Sequence, residues 1–350
     1  MRLTAFFHPL ARIATVTMLA AVTLAGCGGT TPARPDAGTQ PALSSSAPPV
    51  RIGIALGGGA AKGFAHIGVI KMLEANGFAP AVVSGTSAGS VVGALYASGM
   101  NAFEMQEKAV ALDEAKIRDL QLSSGGLVLG QKLEDYVNEQ VRRKPLEQMA
   151  KPFVVVATRL EDGERTVFAR GNTGQAVRAS SSVPGVFQPV TIGKYHFVDG
   201  GIVSPVPVDA ARQLGADIVI AVDISNKARG QTPGDMLGTL GQSIAIMGQK
   251  LGQAELARAD VVIRPQVLDI GSADFSQRAN AILEGEKAAL AVMPQIRERV
   301  AQLQAERANA ARAAQQKAAE AQYQTCLEKR SSLQKLAGMA RLDDSCTAPK

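Results

Sequence analysis

The chain has 350 residues, of which 46% are hydrophobic, so it can form one large domain with appendages or two smaller domains. Its formal charge at pH 7 is +6, and no block of Lys and Arg interleaved with aromatic residues occurs, which argues against nucleic-acid binding. The three histidines and the scattered carboxylates lack the spacing of zinc or calcium ligands, so we expect no metal and no cofactor.

The N-terminal segment, residues 1–26, has the pattern of a signal peptide. Arg2 and Arg12 provide a positive start, and an apolar stretch runs from Ile13 to Leu24. That stretch is shorter than the roughly 20 residues that a permanent transmembrane helix requires. An uncleaved membrane anchor is the alternative. Loss of the leader with its two arginines leaves a mild basic excess, which suits anionic lipid headgroups but equally an ordinary soluble surface.

A lipidation motif follows the apolar stretch. Leu24-Ala25-Gly26-Cys27 resembles the bacterial lipobox, in which the cysteine is acylated and becomes the first residue of the mature protein. Residue 28 is Gly rather than Asp, which resembles the sorting signal for the outer membrane. We therefore expect a lipid-anchored envelope protein, on the periplasmic face of the outer membrane.

The segment after Cys27 is predicted to be a flexible tether that ends at residue 49. It is rich in Gly, Pro, Thr, Ser and Ala, and it has few large apolar residues that could offset the entropy lost on ordering. We expect one catalytic domain over residues 50–295 and a helical C-terminal extension over residues 296–350.

Short apolar strands alternate with helical patterns along residues 50–295. This alternation predicts an α/β fold with a mainly parallel sheet. Strands are expected at residues 51–56, 81–84, 152–157, 164–169, 195–198, 217–223 and 261–264. The first helix is expected at residues 61–76, and a second follows Gly85 and ends at Ala97.

A GxSxG motif, Gly85-Thr86-Ser87-Ala88-Gly89, lies between the second predicted strand and a helix. This context is the one that a nucleophile elbow requires, because the glycines permit a sharp turn that lifts the serine out of the sheet. The helix N-terminus behind it offers N–H groups to a developing oxyanion. The motif predicts Ser87 as a catalytic nucleophile.

A glycine-rich loop follows the first strand, with Gly57, Gly58 and Gly59 in succession, then Lys62 and Gly63. A nucleotide phosphate loop is the rival interpretation. The Walker pattern fails because Lys62 is followed by Gly63 instead of Ser or Thr, and Lys62 occupies the place of the third Rossmann glycine. Beside a serine elbow, the loop is better explained as an oxyanion hole.

The base that would activate Ser87 is less obvious. A chain without its leader holds two histidines. We expect His66, on a helix, to have a surface or packing role. His196 lies in a short strand that ends at Asp199-Gly200-Gly201. A carboxylate at a strand end, followed by glycines, can be aimed into a site, although such a sequence is often only a turn.

Together these motifs resemble the patatin-like phospholipase family over roughly residues 50–295. Four ordered blocks carry the resemblance: Gly57–Gly59 with Lys62 and Gly63, Gly85–Gly89, the small-residue, Pro and Phe block at residues 179–189, and Asp199–Gly201. The resemblance implies a three-layer α/β sandwich with a mainly parallel central sheet. It also implies a Ser87–Asp199 dyad that needs no histidine.

The function implied by this resemblance is that of a lipid acyl hydrolase, similar to a phospholipase A or a lysophospholipase, with membrane lipid as its substrate. Two other classes remain open. One is an esterase or thioesterase that acts on small soluble acyl substrates, and the other is a non-enzymatic envelope scaffold that has kept the fold.

Two further segments are less specific. Residues 235–257 carry many Leu, Ile and Met, so this helix could line an acyl site, although ordinary core packing is the simpler interpretation. Residues 296–322 predict a long, largely exposed helix that is either solvated or a docking arm.

Cys326 and Cys346 are the cysteines that remain beside Cys27, and in an exported chain they favour a disulfide.

Overall fold

The computed structural model describes residues 48–117, 119, 128–225, 234, 236–337, 346 and 348. The predicted signal peptide, the lipobox with Cys27 and the tether up to residue 47 lie outside the described residues.

The described residues form eight strands and eight α-helices. The strands are β1 (Ile52–Leu56), β2 (Val82–Thr86), β3 (Phe153–Arg159), β4 (Arg165–Phe168), β5 (Val190–Ile192), β6 (Tyr195–Asp199), β7 (Ile218–Val222) and β8 (Val261–Ile263). The helices are α1 (Phe64–Ala75), α2 (Ala88–Ala97), α3 (Ala102–Val110), α4 (Gln131–Gln140), α5 (Thr173–Ser180), α6 (Val208–Gln213), α7 (Met236–Leu256) and α8 (Arg278–Ala337).

All eight strands belong to one sheet with the order β5-β6-β3-β2-β1-β7-β8, and β4 pairs with β3 beside this path. In the series β3-β2-β1-β7-β8, each strand is parallel to the next. The pairs β3–β4, β3–β6 and β5–β6 are antiparallel. The prediction of an α/β fold with a mainly parallel central sheet is confirmed.

Helices cover both faces of the parallel strands, as the near-continuous apolar sequences of β1 and β7 require. Ile54 and Leu56 of β1 face a core built with α1, α2, α3 and α8. Ala55, between them, faces a smaller core that includes Val208 of α6 and Leu256 of α7. The predicted three-layer arrangement therefore follows from the alternation of side chains along each strand.

The long helix α8 begins inside the domain and ends far outside its core. Ile282, Ile296 and Val300 are buried, whereas most described residues beyond Leu303 are exposed. Near its start, α8 packs so closely against α1 that a Cβ at Gly285 would stand 2.0 Å from a backbone oxygen of α1. The predicted domain boundary at residues 295 and 296 is thus wrong, because it cuts a continuous helix whose first part belongs to the core.

Cys326 near the end of α8 is joined to Cys346 by a disulfide, with 6.0 Å between the two Cα atoms. The bond connects the exposed half of the helix to the C-terminal segment. It lies outside all four sequence blocks that carry the family resemblance.

Candidate active site

Ser87 stands at a strained turn between β2 and α2. Its backbone has φ 52°, a region that residues with a side chain rarely adopt, and such strain is concentrated at functional sites. The flanking glycines make the turn possible. A Cβ at Gly85 would lie 2.6 Å from the carbonyl oxygen of Gly89, and a Cβ at Gly89 would lie 2.1 Å from that of Leu56. The structure therefore has the geometry expected of a nucleophile elbow.

The pairing along β3 brings Ser87 and Asp199 together. Strand β2 pairs with β3 up to Val156, and β6 pairs antiparallel with β3 up to Ala157. Because β4 overlaps both partners in register, it must occupy the opposite edge of β3, so β2 and β6 share one edge. Their C-terminal ends meet there head-on, and each end carries one of the predicted catalytic residues.

The two side chains are in direct contact. Ser87 Oγ donates a hydrogen bond of 2.6 Å to Asp199 Oδ2, and both residues are 7% exposed. The Gly201 N–H donates to the other carboxylate oxygen at 2.7 Å, which fixes the carboxylate orientation. Burial raises the pKa of Asp199 to about 6, and the hydrogen bonds from Ser87 and Gly201 lower it only in part. Asp199 is therefore an ionised, poorly solvated carboxylate at neutral pH, which suits a general base.

The glycines after Asp199 allow the close approach of this turn to the sheet. A Cβ at Gly200 would stand 2.1 Å from the carbonyl oxygen of Val156. A Cβ at Gly201 would stand 3.0 Å from Asp199 Oδ1. Larger residues at either position would move the carboxylate away from Ser87.

The glycine loop lies beside Ser87, but its N–H groups are not all available. A Cβ at Gly58 would lie 3.2 Å from the Ser87 Cβ, so this loop lies directly beside Ser87. However, the Gly57 N–H donates to Val222 at 3.1 Å, and the Gly58 N–H donates to Pro205 at 3.0 Å. The prediction that these two glycines supply oxyanion donors is therefore wrong, because both N–H groups hold the loop itself.

Two other N–H groups are better placed to bind an oxyanion. Within the described part of the chain, the N–H groups of Gly59 and Ala88 donate no hydrogen bond. Ala88 is the first residue of α2 and directly follows Ser87, and in a nucleophile elbow the residue at this position usually supplies one oxyanion donor. The Ser87 N–H is not available, because it donates to Ser180 Oγ at 2.8 Å.

The glycine loop is held tightly against α2. A Cβ at Gly63 would stand 2.8 Å from the Cβ of Ala88, so the loop can lie against the start of the helix only without a side chain there. Lys62, the basic residue of the loop, is 1% exposed. Its side chain therefore belongs to the interior of the domain and not to the protein surface.

Neither histidine is hydrogen-bonded to Ser87, whose amide and hydroxyl donate to Ser180 and Asp199. His66 is fully buried, and its Nε2–H donates a hydrogen bond of 2.8 Å to the Gly57 carbonyl oxygen. Burial lowers the pKa of His66 to about 4, so the ring is neutral and serves to hold the glycine loop. A surface role for His66 is thus wrong. His196 is exposed on β6, where its Nδ1 lies 2.8 Å from Glu161.

Several hydroxyl groups that support the elbow could not be recognised from the sequence. Ser180, in the small-residue block, accepts from the Ser87 N–H and donates to the Val156 carbonyl at 2.5 Å. Thr86 Oγ1 donates to the Ser204 carbonyl at 2.8 Å. Single hydroxyls carry no local pattern, so only the position of Ser180 within a family block could have indicated its role.

The described residues contain no grouping of three or more His, Cys, Asp or Glu side chains that could hold a metal ion. Among the helices of this part of the chain, none combines the length and the apolar character that are needed to cross a bilayer.

Comparison with known proteins identifies a family and several relatives to which this chain is similar. Residues 54–212 match the model of the patatin-like phospholipase family. An uncharacterised NTE family protein of Mycobacterium tuberculosis is 35% identical over 188 residues, which cover 53% of this chain and 52% of that protein. The human patatin-like phospholipase domain-containing protein 6 is 32% identical over 184 residues, or 50% of this chain and 13% of that protein.

A third relative is the lysophospholipase NTE1 of Pyricularia oryzae, which is 30% identical over 50% of this chain and 12% of its own length. The matched region therefore spans about half, or much less, of each of these relatives. Among solved structures, VipD of Legionella pneumophila aligns over 71% of this chain and 67% of its own, with 16% identity and a TM-score of 0.41. The type III effector ExoU aligns over 86% and 67%, with 15% identity and a TM-score of 0.39.

Proposed function

The chain belongs to the patatin-like phospholipase family, and from that premise we propose that it is a serine acyl hydrolase that cleaves the carboxylic esters of membrane lipids. One observation carries the proposal. The Ser87 hydroxyl, held in a strained elbow, donates a 2.6 Å hydrogen bond to a buried carboxylate whose pKa is raised to about 6. The reaction resembles that of a phospholipase A or a lysophospholipase.

In the acylation step, ionised Asp199 accepts the Ser87 hydroxyl proton while Ser87 Oγ forms a bond to the acyl carbonyl carbon. The carbonyl π electrons move to oxygen and produce a tetrahedral intermediate. When it collapses, the ester C–O bond breaks and protonated Asp199 returns its proton to the departing alcohol. The alcohol leaves, and the acyl group remains on Ser87.

The oxyanion of this intermediate requires donors that are fixed before the reaction begins. We assign the N–H groups of Gly59 and Ala88, because those of Gly57, Gly58 and Ser87 are already bonded within the protein. Loss of one such donor typically costs about 3–4 kcal/mol of transition-state stabilisation. The positive end of the α2 dipole adds to the stabilisation at Ala88.

Deacylation repeats the same chemistry with water. Asp199 takes a proton from water, whose oxygen attacks the acyl carbon, and the protonated carboxyl then returns this proton to Ser87 Oγ as the acyl bond breaks. The free fatty acid leaves and the dyad is restored. His66, neutral and bonded to the glycine loop, takes no part in this proton transfer.

Helix α7 supports a lipid surface, and not a small soluble ester, as the substrate. Leu240, Met247 and Leu251 lie on one side of this helix and are 40–51% exposed, so core packing does not account for them. A Cβ at Gly248, one residue beyond Met247, would lie 3.7 Å from the Gly201 carbonyl oxygen. An exposed apolar stripe thus lies on the helix that covers the Asp199 turn, and such stripes bind lipid interfaces.

Hydrolysis of a lipid panel by purified protein tests the proposal. Wild type should release fatty acid from phospholipid or lysophospholipid vesicles, and Ser87→Ala should lower this rate at least about a thousandfold while it remains folded. Ser98→Ala, at the other end of α2, is the matched control and should keep the wild-type rate. Turnover of short soluble esters or thioesters alone would favour the esterase, and the absence of any Ser87-dependent turnover would favour a scaffold.

We also propose that the protein is anchored by acylation of Cys27, on the strength of the lipobox in the sequence. Cys27→Ser should shift the protein from the membrane fraction to the soluble fraction and abolish incorporation of labelled palmitate. Ser87→Ala serves as the control, because it should leave fractionation unchanged. A Cys27→Ser protein that still sediments with outer membranes would contradict the anchor without affecting the proposed chemistry.

A further inference from the structure

A buried carboxylate that belongs to none of the sequence motifs lies behind the active site. Glu255, in the last turn of α7, is 5% exposed. One of its oxygens accepts a hydrogen bond from Ser204 Oγ, and the other accepts one from the Val206 N–H at 2.8 Å. Buried carboxylates are rare unless each oxygen has a partner, and here both have one.

The segment held by Glu255, residues 204–206, contacts both parts of the active site through its carbonyl groups. The Ser204 carbonyl accepts from Thr86 Oγ1 at 2.8 Å, and the Pro205 carbonyl accepts from the Gly58 N–H at 3.0 Å. Thr86 immediately precedes Ser87. Gly58 is the loop residue whose added Cβ would lie against the Ser87 side chain. One short segment therefore sets the position of the elbow relative to the glycine loop.

The same segment is also continuous with the turn that carries the catalytic base. The Ser204 N–H donates to the Gly200 carbonyl at 2.8 Å, and Asp199 precedes that residue. Gly252 of α7 packs against this region, where an added Cβ would lie 3.4 Å from the Pro205 ring. The helix, the segment and the Asp199 turn thus form one hydrogen-bonded and packed unit.

Burial of the Glu255 carboxylate costs free energy because it removes water from the charged form. This cost argues that Glu255 has a specific role. Desolvation raises the pKa of Glu255 to about 7, against the opposing effect of its two hydrogen bonds. Arg165 and Arg258 lower it only through space. An apolar residue of similar volume would avoid this desolvation but would leave the Val206 N–H without an acceptor.

We propose that Glu255 is a positioning residue of the active site, which fixes the distance between the Ser87 elbow and the glycine loop by holding residues 204–206 from behind. The inference rests on the proposed function, because it concerns the same hydrolytic site. Glu255 does not touch the reacting atoms. It acts through the carbonyl groups of Ser204 and Pro205.

Two substitutions at this position separate positioning from charge. Glu255→Leu removes both acceptors at similar volume. Glu255→Gln keeps both contacts, because its carbonyl oxygen can accept from the Val206 N–H while its amide donates to Ser204 Oγ. Gln253→Leu, on the exposed side of the same helix, is the matched control.

The experiment measures kcat and KM on p-nitrophenyl butyrate, together with the rate at which a fluorophosphonate labels Ser87. Displacement of a catalytic group by about 1 Å can cost about a hundredfold in rate. We therefore expect Glu255→Leu to lower kcat and the labelling rate by about tenfold to a hundredfold, with KM within about threefold. Glu255→Gln should restore both rates to within about fivefold, and Gln253→Leu should match wild type.

Each result has a defined meaning. A folded Glu255→Leu protein with wild-type kcat would overturn the inference, as would a folded Glu255→Gln protein that is as slow as Glu255→Leu. If Glu255→Leu does not fold, Ser204→Ala replaces it and should lower kcat by about threefold to tenfold. A wild-type rate for folded Ser204→Ala would then refute the inference. A failure of wild type itself to hydrolyse any ester refutes the proposed function instead.

Discussion

The ends of β2 and β6 that carry Ser87 and Asp199, here called the Ser87 edge of the sheet, differ in local structure from the exposed half of α8. At the edge, a non-glycine residue has a positive φ, glycines leave no room for a Cβ, and a carboxylate is buried without a countercharge. In α8 beyond Leu303, a regular helix exposes Ala, Gln, Arg and Glu. The contrast teaches that local preferences are violated where chemistry requires it, and that stability must come from elsewhere in the fold.

The pH dependence of hydrolysis is the largest effect that can sharpen this contrast. Asp199 is active as a base only when ionised, and its pKa is raised to about 6 by burial. Activity is therefore present above this pH and is lost below it, by about tenfold for each further pH unit. A profile of kcat/KM for a p-nitrophenyl ester checks this. A profile that stays flat from neutral pH to well below 6 would mean that Asp199 is not the base.

The stability of Asp199→Asn measures what the buried charge costs. The folded-state pKa of about 6 lies above the ordinary value of 3.8, so ionised Asp199 destabilises the fold at neutral pH. At about 1.4 kcal/mol per pKa unit, the cost is about 3 kcal/mol. Asn should raise the free energy of unfolding by up to this amount above pH 7. The gain should shrink as the pH falls through 6 and be lost below 3.8, where the wild-type carboxylate is protonated in both states.

Urea unfolding at neutral and at mildly acidic pH provides this measurement, with Ser87→Ala as a control that keeps the buried carboxylate. An Asp199→Asn protein that is destabilised equally at both pH values would show that the carboxylate is part of a favourable network, and the assignment of strain to this edge would fail.

Helix α7 offers a smaller, more selective effect. Replacement of Met247 and Leu251 by Gln keeps the helix and removes part of the exposed apolar stripe. We expect hydrolysis of phospholipid vesicles to fall by about fivefold to tenfold, because each buried apolar side chain contributes about 1.5–3 kcal/mol and these are only partly inserted. Hydrolysis of p-nitrophenyl butyrate should not change. Equal losses on both substrates would contradict a lipid-binding stripe.

The disulfide should have the smallest effect on catalysis. Cys326→Ser and Cys346→Ser, alone or together, should leave kcat and KM within about twofold of wild type, because the bond lies outside the catalytic blocks. The variants should mainly increase protease sensitivity near the C-terminus. A large loss of kcat in a folded variant would show that the exposed half of α8 contributes to the site, and the two regions would no longer be separable.

The sequence could predict the features of this site that have local patterns. The elbow, the glycine loop and the Asp199 turn each combine a strand end with glycines, and the alternation of elements predicts the mainly parallel sheet. It could not predict which N–H groups of Gly57, Gly58 and Gly59 are already bonded, because that depends on the distant residues Val222 and Pro205.

Other features were hidden because their local sequence has more than one structural outcome. The apolar residues of α7 suit a core helix as well as an exposed one, and only the fold places Leu240 and Met247 at the surface. The sequence predicts a domain boundary between residues 295 and 296, yet Ile296 and Val300 still pack in the core. Glu255 is a single acidic residue whose partners are 49 and 51 positions away in the chain.

The most direct test of the central claim is kcat/KM of Asp199→Asn, measured against His196→Gln and His66→Gln as matched controls. The account predicts that folded Asp199→Asn loses at least about a thousandfold, as expected for a missing base. Each histidine variant should lose less than about tenfold, since the imidazoles are hydrogen-bonded to Gly57 and Glu161 and not to Ser87. An active Asp199→Asn protein, beside a folded histidine variant as inactive as Ser87→Ala, would replace the Ser87–Asp199 dyad with a histidine-dependent hydrolase.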